Sequence, residues 1–214
     1  NTYRDESKAA FLPRFFKTGK GEYGEGDQFI GVVVPNLRIV AKKHFDADFD
    51  TLRELLASPY HEYRLTALLA LTYRYAKLKD HTSRETCVNF YVSQVDAINN
   101  WDLVDLSCYK ILGHWLFDKD KQLLYDWAKE NHLWKQRIAM ISCMHFVKQG
   151  EFKDALAIAD LLQHHPHDLI HKAVGWILRE IGKEDEQLLV DYLTPRYKEM
   201  PRTMLRYAIE RFEE

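Results

Sequence analysis

Amphipathic helical segments recur along this chain at a spacing that few folds accommodate. They begin at residues 61, 101, 133, 167 and 200, so the start-to-start steps are 40, 32, 34 and 33 residues. Shorter amphipathic segments such as "DTLRELLA" and "FKDALAIADLLQ" lie between them. Repeats of this length built from helix pairs are typical of α-solenoids, because each pair buries its apolar face against its neighbours. The sequence therefore predicts an all-α fold, a right-handed α-solenoid of HEAT-like helix pairs forming a single domain over residues 1–214. A four-helix-bundle variant is the alternative.

The composition excludes several other classes of protein. Hydrophobic residues make up 46% of the chain and charged residues 29%, as in an ordinary globular protein. No apolar run approaches the ~18 residues of a membrane span, and no signal-peptide pattern opens the sequence. Cys87, Cys108 and Cys143 are widely separated, and each lies in an apolar helical pattern. They predict buried thiols rather than a disulfide framework or a zinc site.

The charge distribution is more informative than the net charge of −2. The five recurring segments carry 13 Lys and Arg residues but only 6 Asp and Glu residues, and the rest of the chain is acidic. In a solenoid, one helix of each pair lines the concave face, so the sequence predicts a concave basic groove. Such a groove favours binding to a phosphate backbone. A chance partition of charge is the alternative.

The segment "NNWDLVDLSCYK" places Trp101 and Asp105 four residues apart, on one face of a predicted helix. A carboxylate on such an apolar stripe must be hydrogen-bonded, paired or used in function. In the next recurring segment, "HLWKQRIAM" includes Arg137, whose alternative interpretation is a structural arginine between repeats.

The segment "HKAVGWILREIGK" places a tryptophan among cations on one helical face, at Lys172, Trp176, Arg179 and Lys183. This pattern suits a wet groove that binds a charged ligand, although a structural role explains it equally well. Together with Trp101, Asp105 and Arg137, Trp176 lies on three successive recurring helices. Stacked repeats would bring these four side chains to one concave wall.

Two other motifs predict no ligand site. Gly19, Gly21 and Gly24 spell G-x-G-x-x-G, but no strand precedes them, so a surface loop is favoured over a nucleotide site. His167 and His171 stand one helical turn apart without further ligands, which favours a solvated turn between repeats over a metal site. We therefore expect no metal and no cofactor.

These motifs, taken in order, resemble the DNA alkylation repair glycosylases built from HEAT-like repeats (the AlkD-like family), over nearly the whole chain. "FIGVVVPNLRIVAKKH" is similar to the family's N-terminal G-[IV]-x-x-P-x-[LR]-R segment. "NWDLVD" resembles its Trp-x-x-x-Asp motif, "LWKQR" its Trp-x-x-Arg motif, and "GWILRE" the surroundings of its second active-site tryptophan.

The resemblance implies excision of cationic N3- and N7-alkylated purines from double-stranded DNA by a cytoplasmic, nucleoid-associated monomer with no membrane partner. It assigns the active site to Asp105, Trp101, Trp176 and Arg137. The DNA-binding residues expected beside this site are Lys172, Arg179, Lys183 and Arg206. A DNA-binding relative that has lost excision is the first alternative. A protein scaffold whose basic face arose by chance is the second.

Overall fold

A computed structural model of the chain describes residues 3–212, and these residues are mainly helical. The chain divides into two compact units, residues 1–107 and residues 108–214. Across the described residues the β-structure is limited to one isolated parallel bridge, between Gln28 and Tyr60. The prediction of an all-α fold is confirmed.

The described part of the first unit contains six α-helices, of which α4 is the longest. Its helices, in chain order, are α1 (Glu6–Phe15), α2 (Val34–Lys43), α3 (Phe49–Leu56), α4 (His61–Lys77), α5 (His81–Ser93) and α6 (Trp101–Asp105), with a 3-10 turn at Val95–Ala97. Helix α4 packs against α2, α3 and α6. It buries a continuous apolar stripe, which makes it the central element of this unit.

The second unit begins with a π-helical turn, Tyr109–Gly113. Its α-helices are α7 (His114–Leu116), α8 (Gln122–Lys129), α9 (Leu133–Ser142), α10 (Met144–Val147), α11 (Lys153–Leu162), α12 (Asp168–Glu184), α13 (Glu186–Leu193) and α14 (Arg202–Ala208). Helix α12 packs against α9, α13 and α14. The amphipathic segments between the recurring helices are thus helical, as the sequence predicts.

The predicted helix over residues 101–117 is interrupted, whereas α4 and α12 follow their predicted bounds closely. Helix α6 ends at Asp105, and the π-helical turn begins four residues later. The side chain of Ser107 donates hydrogen bonds to the carbonyls of Leu103 and Val104. A hydroxyl that bonds its own backbone competes with regular helical hydrogen bonding, which accounts for the break.

Other sequence expectations agree with the structure. Cys87, Cys108 and Cys143 are free thiols and buried. The glycine-rich segment forms a turn-rich loop between α1 and α2, where Gly24 donates its backbone N–H to the carbonyl of Lys17. Within residues 3–212, none of the helices combines the length and the apolar character that a membrane span needs.

Candidate active site and DNA-binding residues

An apolar cavity of about 450 Å³ lies within the first unit. Aromatic and aliphatic side chains from α1, the segment before α2, α4 and α6 form its wall, and Trp101 and Asp105 both line it. The two residues that the sequence singles out therefore line the same cavity. A concave, mainly apolar cavity with a few polar groups is the usual form of a ligand or active site.

Helix α6 holds Trp101 at the edge of this cavity through its cap. The side chain of Asn100 accepts the backbone N–H of Trp101 at 2.9 Å and donates to the carbonyl of Phe16 at 3.4 Å. The indole ring stacks on Phe16 with centroids 5.6 Å apart and meets the edge of Phe15 at 5.8 Å. Helix α1 and the following residue thus fix the indole of Trp101 against the cavity.

A buried ionic network adjoins the cavity, and its members His61 and Asp102 also line the cavity wall. The imidazole of His61 is hydrogen-bonded through Nε2 to Asp102 at 2.8 Å and through Nδ1 to Asp27 at 3.3 Å. Asp27 also forms an ion pair with Arg64 and accepts a hydrogen bond from Asn99 at 2.9 Å. The network joins α4, α6 and the loop before α2, so it fixes the helix that carries Asp105.

The network strongly affects the protonation of its members. Burial lowers the pKa of His61, but the hydrogen bonds to Asp102 and Asp27 outweigh burial and raise this pKa to about 9. For the carboxylate of Asp27, burial acts in the opposite direction and raises the pKa, but hydrogen bonds from His61, Arg64 and Asn99 hold this pKa below its ordinary value. At neutral pH, His61 is therefore an imidazolium that donates both of its N–H groups.

Glu62 anchors the segment before α2, from which Phe29, Val32 and Val33 line the cavity. Its Oε1 accepts the backbone N–H groups of Ile30, Gly31 and Val32 at 3.0, 2.8 and 3.3 Å. Gly31 has φ +79°, and a Cβ at this position would lie 1.9 Å from the carbonyl oxygen of Asp5. The glycine in the N-terminal motif is thus required by its conformation and by the close approach of the chain leading into α1.

Sequence reasoning missed His61, Glu62, Arg64 and Asp102. The first three lie in "HEYR" at the start of α4, and all three are buried. Charged residues on the buried side of an otherwise apolar helix were the available signal. Their partners Asp27 and Asp102 lie 34 and 41 residues from His61 along the chain, so no local pattern identifies them.

Arg137 and Trp176 lie in the second unit. Arg137 is only 4% exposed, and its guanidinium donates to the backbone carbonyl of Leu169 at the start of α12. This contact connects α9 to α12, as the structural interpretation of Arg137 expects. Trp176 is half-buried on α12 and donates its indole N–H to Glu180 at 3.2 Å. Their meeting with Trp101 and Asp105 on one wall stays a prediction.

The four residues predicted to bind DNA also lie in the second unit, and three of them form ion pairs with carboxylates. Lys172 pairs with Asp168 at 2.7 Å, Lys183 pairs with Glu180 at 2.6 Å, and Arg179 pairs with Glu210. Arg206 is exposed on α14. Binding of phosphates by the first three would require exchange of a protein carboxylate for a phosphate oxygen.

Of the histidines near α12, one bonds to α9 and the others make local contacts at the start of α12. His165 bonds to the side-chain oxygen of Gln136 on α9 at 2.9 Å, His167 caps α12, and His171 bonds to the carbonyl of His165 at 2.5 Å. Among the residues from 3 to 212, no group of three or more His, Cys, Asp and Glu side chains is placed to hold a metal ion.

Solved structures of other proteins share this fold. The chain is similar to a solved structure described as a predicted DNA alkylation repair enzyme from Enterococcus faecalis, with a TM-score of 0.74 and 13% identity over 99% of this chain and 97% of that one. It is also similar to AlkD2 from Streptococcus mutans, with a TM-score of 0.60 and 15% identity over 98% of this chain and 99% of that one. These likenesses confirm the predicted all-α, HEAT-like fold class. The right-handed superhelix and the basic groove stay predictions.

By sequence, no curated protein matches the chain. The profile of the family described as "DNA alkylation repair enzyme" matches residues 1–212, which is almost the entire sequence. This chain therefore belongs to the DNA alkylation repair enzyme family.

Proposed function

We propose that this protein is a DNA glycosylase that hydrolyses the N-glycosidic bond of cationic N3- and N7-alkylated purines in duplex DNA. The observation that carries the proposal is the placement of Asp105 beside Trp101 in the wall of one cavity, in a chain of the DNA alkylation repair family. Residues 1–214 would act as a single domain.

The chemistry requires little beyond one positioned carboxylate. Alkylation of a ring nitrogen gives the purine a positive charge, so the electron pair of the breaking C1′–N bond neutralises the departing base. The deoxyribose becomes an oxocarbenium-like cation, which a carboxylate stabilises electrostatically. Asp105 would supply this charge and accept a proton from the water that adds to C1′. No metal or cofactor enters these steps.

The aromatic and basic residues would hold the DNA. Trp101 and Trp176 would contact the deoxyribose and the DNA backbone near the lesion. Arg137 would contact a phosphate. Lys172, Arg179, Lys183 and Arg206 would neutralise further phosphates, which gives affinity without sequence preference. Because Arg137 is buried and bonded to the carbonyl of Leu169, its contact with a phosphate would require this side chain to move.

The deciding experiment incubates the protein with duplex DNA carrying one N7-methylguanine and measures the released base. We expect release in single-turnover conditions, and no release from the same duplex with unmodified guanine. Tight duplex binding without release would establish the non-catalytic DNA-binding relative instead. Absence of both binding and release would overturn the DNA assignment.

A further inference from the structure

Two phenylalanines of α1 are exposed to solvent beside the cavity. Phe11 is 61% exposed and Phe15 is 51% exposed, and their rings pair with centroids 6.4 Å apart. Phe15 also meets the indole of Trp101 at 5.8 Å, and these two residues line the cavity. Phe11, Phe15 and Trp101 therefore form an aromatic row that leads from the surface to the proposed active site. Exposed apolar side chains that lie together, rather than singly, are typical of an interaction surface.

The charge of the same segment favours an anionic partner. Residues 8–20 include four basic side chains and no acidic one, the basic residues being Lys8, Arg14, Lys17 and Lys20. Lys8 is paired with Asp5 at 3.2 Å, whereas Arg14 and Lys17 form no ion pair within residues 3–212. Aromatic rings interleaved with cations are the usual elements of a surface that binds single-stranded nucleic acid, because the rings stack on bases and the cations meet phosphates.

Lys17 holds its charge at a strained position of the backbone. Its φ is +54°, in the left-handed region, and it directly follows Phe16, the C-cap residue of α1. The backbone N–H of Thr18 donates to the carbonyl of Pro13 at 3.1 Å, which is the defining bond of a Schellman motif. Glycine is the usual residue at the position of Lys17 in this motif, because it has no Cβ. Since glycine would relieve the strain, the lysine favours a role for its charge outside the fold.

We propose that α1 and the turn after it bind single-stranded DNA, with an unpaired nucleobase stacked on Phe11 and Phe15. Both faces of a base within a duplex are covered by its neighbours, so only an unpaired base offers a face to these rings. Arg14 and Lys17 contact the phosphates on either side of that base. An apolar protein surface would also cover the rings, but it would leave the cations unused. The inference rests on the proposed function and extends it from duplex DNA to unpaired bases near the cavity.

The test compares two labelled oligomers of equal length, oligo(dT) and an abasic oligomer that has the same phosphates but no bases. Fluorescence anisotropy measures the binding of each to the intact protein. We expect oligo(dT) to bind about tenfold more tightly, which is the scale of one stacked base. Equal affinities would overturn the proposal, because charge alone would then account for binding. The absence of binding to both oligomers would overturn it as well and would favour a protein partner for the rings.

Phe11→Leu removes the outer ring but keeps an apolar side chain. The fold should tolerate this change, because none of the residues of α1 is buried. Binding of oligo(dT) should weaken about fivefold or more, whereas binding of the abasic oligomer should stay unchanged. Tyr197→Leu is the matched control, because Tyr197 is 47% exposed and belongs to the second unit. It should bind both oligomers normally. Unchanged binding of oligo(dT) by Phe11→Leu would contradict the assignment to α1.

Lys17→Gly separates a role in binding from a role in stability. Glycine relieves the strained φ, so the urea midpoint should rise, while both oligomers should bind less tightly. The log–log salt slope should become less negative by about 0.7, the value for one phosphate of a single strand. A lower midpoint with unchanged binding would make Lys17 structural and contradict its phosphate contact.

The release of N7-methylguanine from duplex DNA is measured separately, so that the two proposals can fail independently. Release together with equal binding of the two oligomers would leave the proposed function standing and overturn this inference. A preference for oligo(dT) without release would support this inference and overturn the proposed excision.

Discussion

At the residue scale, Asp105 carries the proposed chemistry, and Asp105→Asn tests it. The amide keeps the shape but not the charge, so excision should fall roughly 10²–10³-fold, the scale of losing one preorganised electrostatic group. The melting temperature should change little. Single-turnover excision and thermal melting are measured on the same preparation, with Asp118→Asn as a control at an exposed carboxylate. A destabilised Asp105→Asn variant with near-normal excision would make Asp105 architectural.

His61 gives a second prediction at this scale, in the pH dependence of stability. Its pKa is about 9 in the folded protein and 6.5 as the ordinary value, so the folded state binds the proton more tightly. The resulting stabilisation is complete below pH 6.5 and is lost as the pH rises through 9. The loss should reach about 3 kcal/mol. Urea unfolding between pH 6 and 9 measures it.

The variant His61→Gln separates this contribution from other titrations. It should be less stable than the wild type at pH 6 and show a much flatter slope up to pH 9. His81→Gln, at an exposed histidine, should retain the wild-type slope. An unchanged slope in His61→Gln would show that another group causes the pH dependence.

At the scale of elements, the docking of α1 depends on one glycine. Gly31 and Gly26 both have positive φ values, +79° and +89°, so alanine at either position is strained by about 1–2 kcal/mol. Only at Gly31 would the new Cβ also overlap backbone, at Asp5, whereas nothing lies within 4 Å at Gly26. Gly31→Ala should therefore lose at least about 2 kcal/mol more stability than Gly26→Ala in urea unfolding. Equal losses would show that α1 shifts without cost.

The same scale shows what the sequence can predict. The bounds of α4 and α12 follow from their apolar periodicity, because local spacing determines which helical face is buried. The break after Asp105 does not follow, since one hydroxyl, that of Ser107, redirects the backbone there. Trp101 and Asp105 share a helix, so their spacing predicts a common face. The network of His61 depends on contacts between distant segments, and no periodicity encodes those.

At the scale of the whole molecule, the affinity for DNA should depend on how many Lys and Arg side chains can contact phosphates. Affinity should fall with salt, with a log–log slope of about −0.9 for each phosphate neutralised. Arg179, one of the predicted phosphate contacts, is paired with Glu210 of the same protein, so this carboxylate competes with DNA for the arginine. Glu210→Gln removes that competing carboxylate, so the affinity for duplex DNA should rise. The log–log salt slope should become more negative by up to about 0.9, the value for one additional phosphate contact.

The control for this prediction is Glu186→Gln, which removes the same charge at an exposed glutamate that does not pair with Arg179. Net charge alone would make the two variants bind DNA equally. Release of Arg179 would make Glu210→Gln bind more tightly than Glu186→Gln, and adding Arg179→Ala should abolish that difference. Fluorescence anisotropy of a labelled duplex across a salt series measures all of these variants. Equal slopes in both single variants would remove Arg179 from the DNA contacts, because its charge would then reach the phosphates no more effectively when its partner is gone.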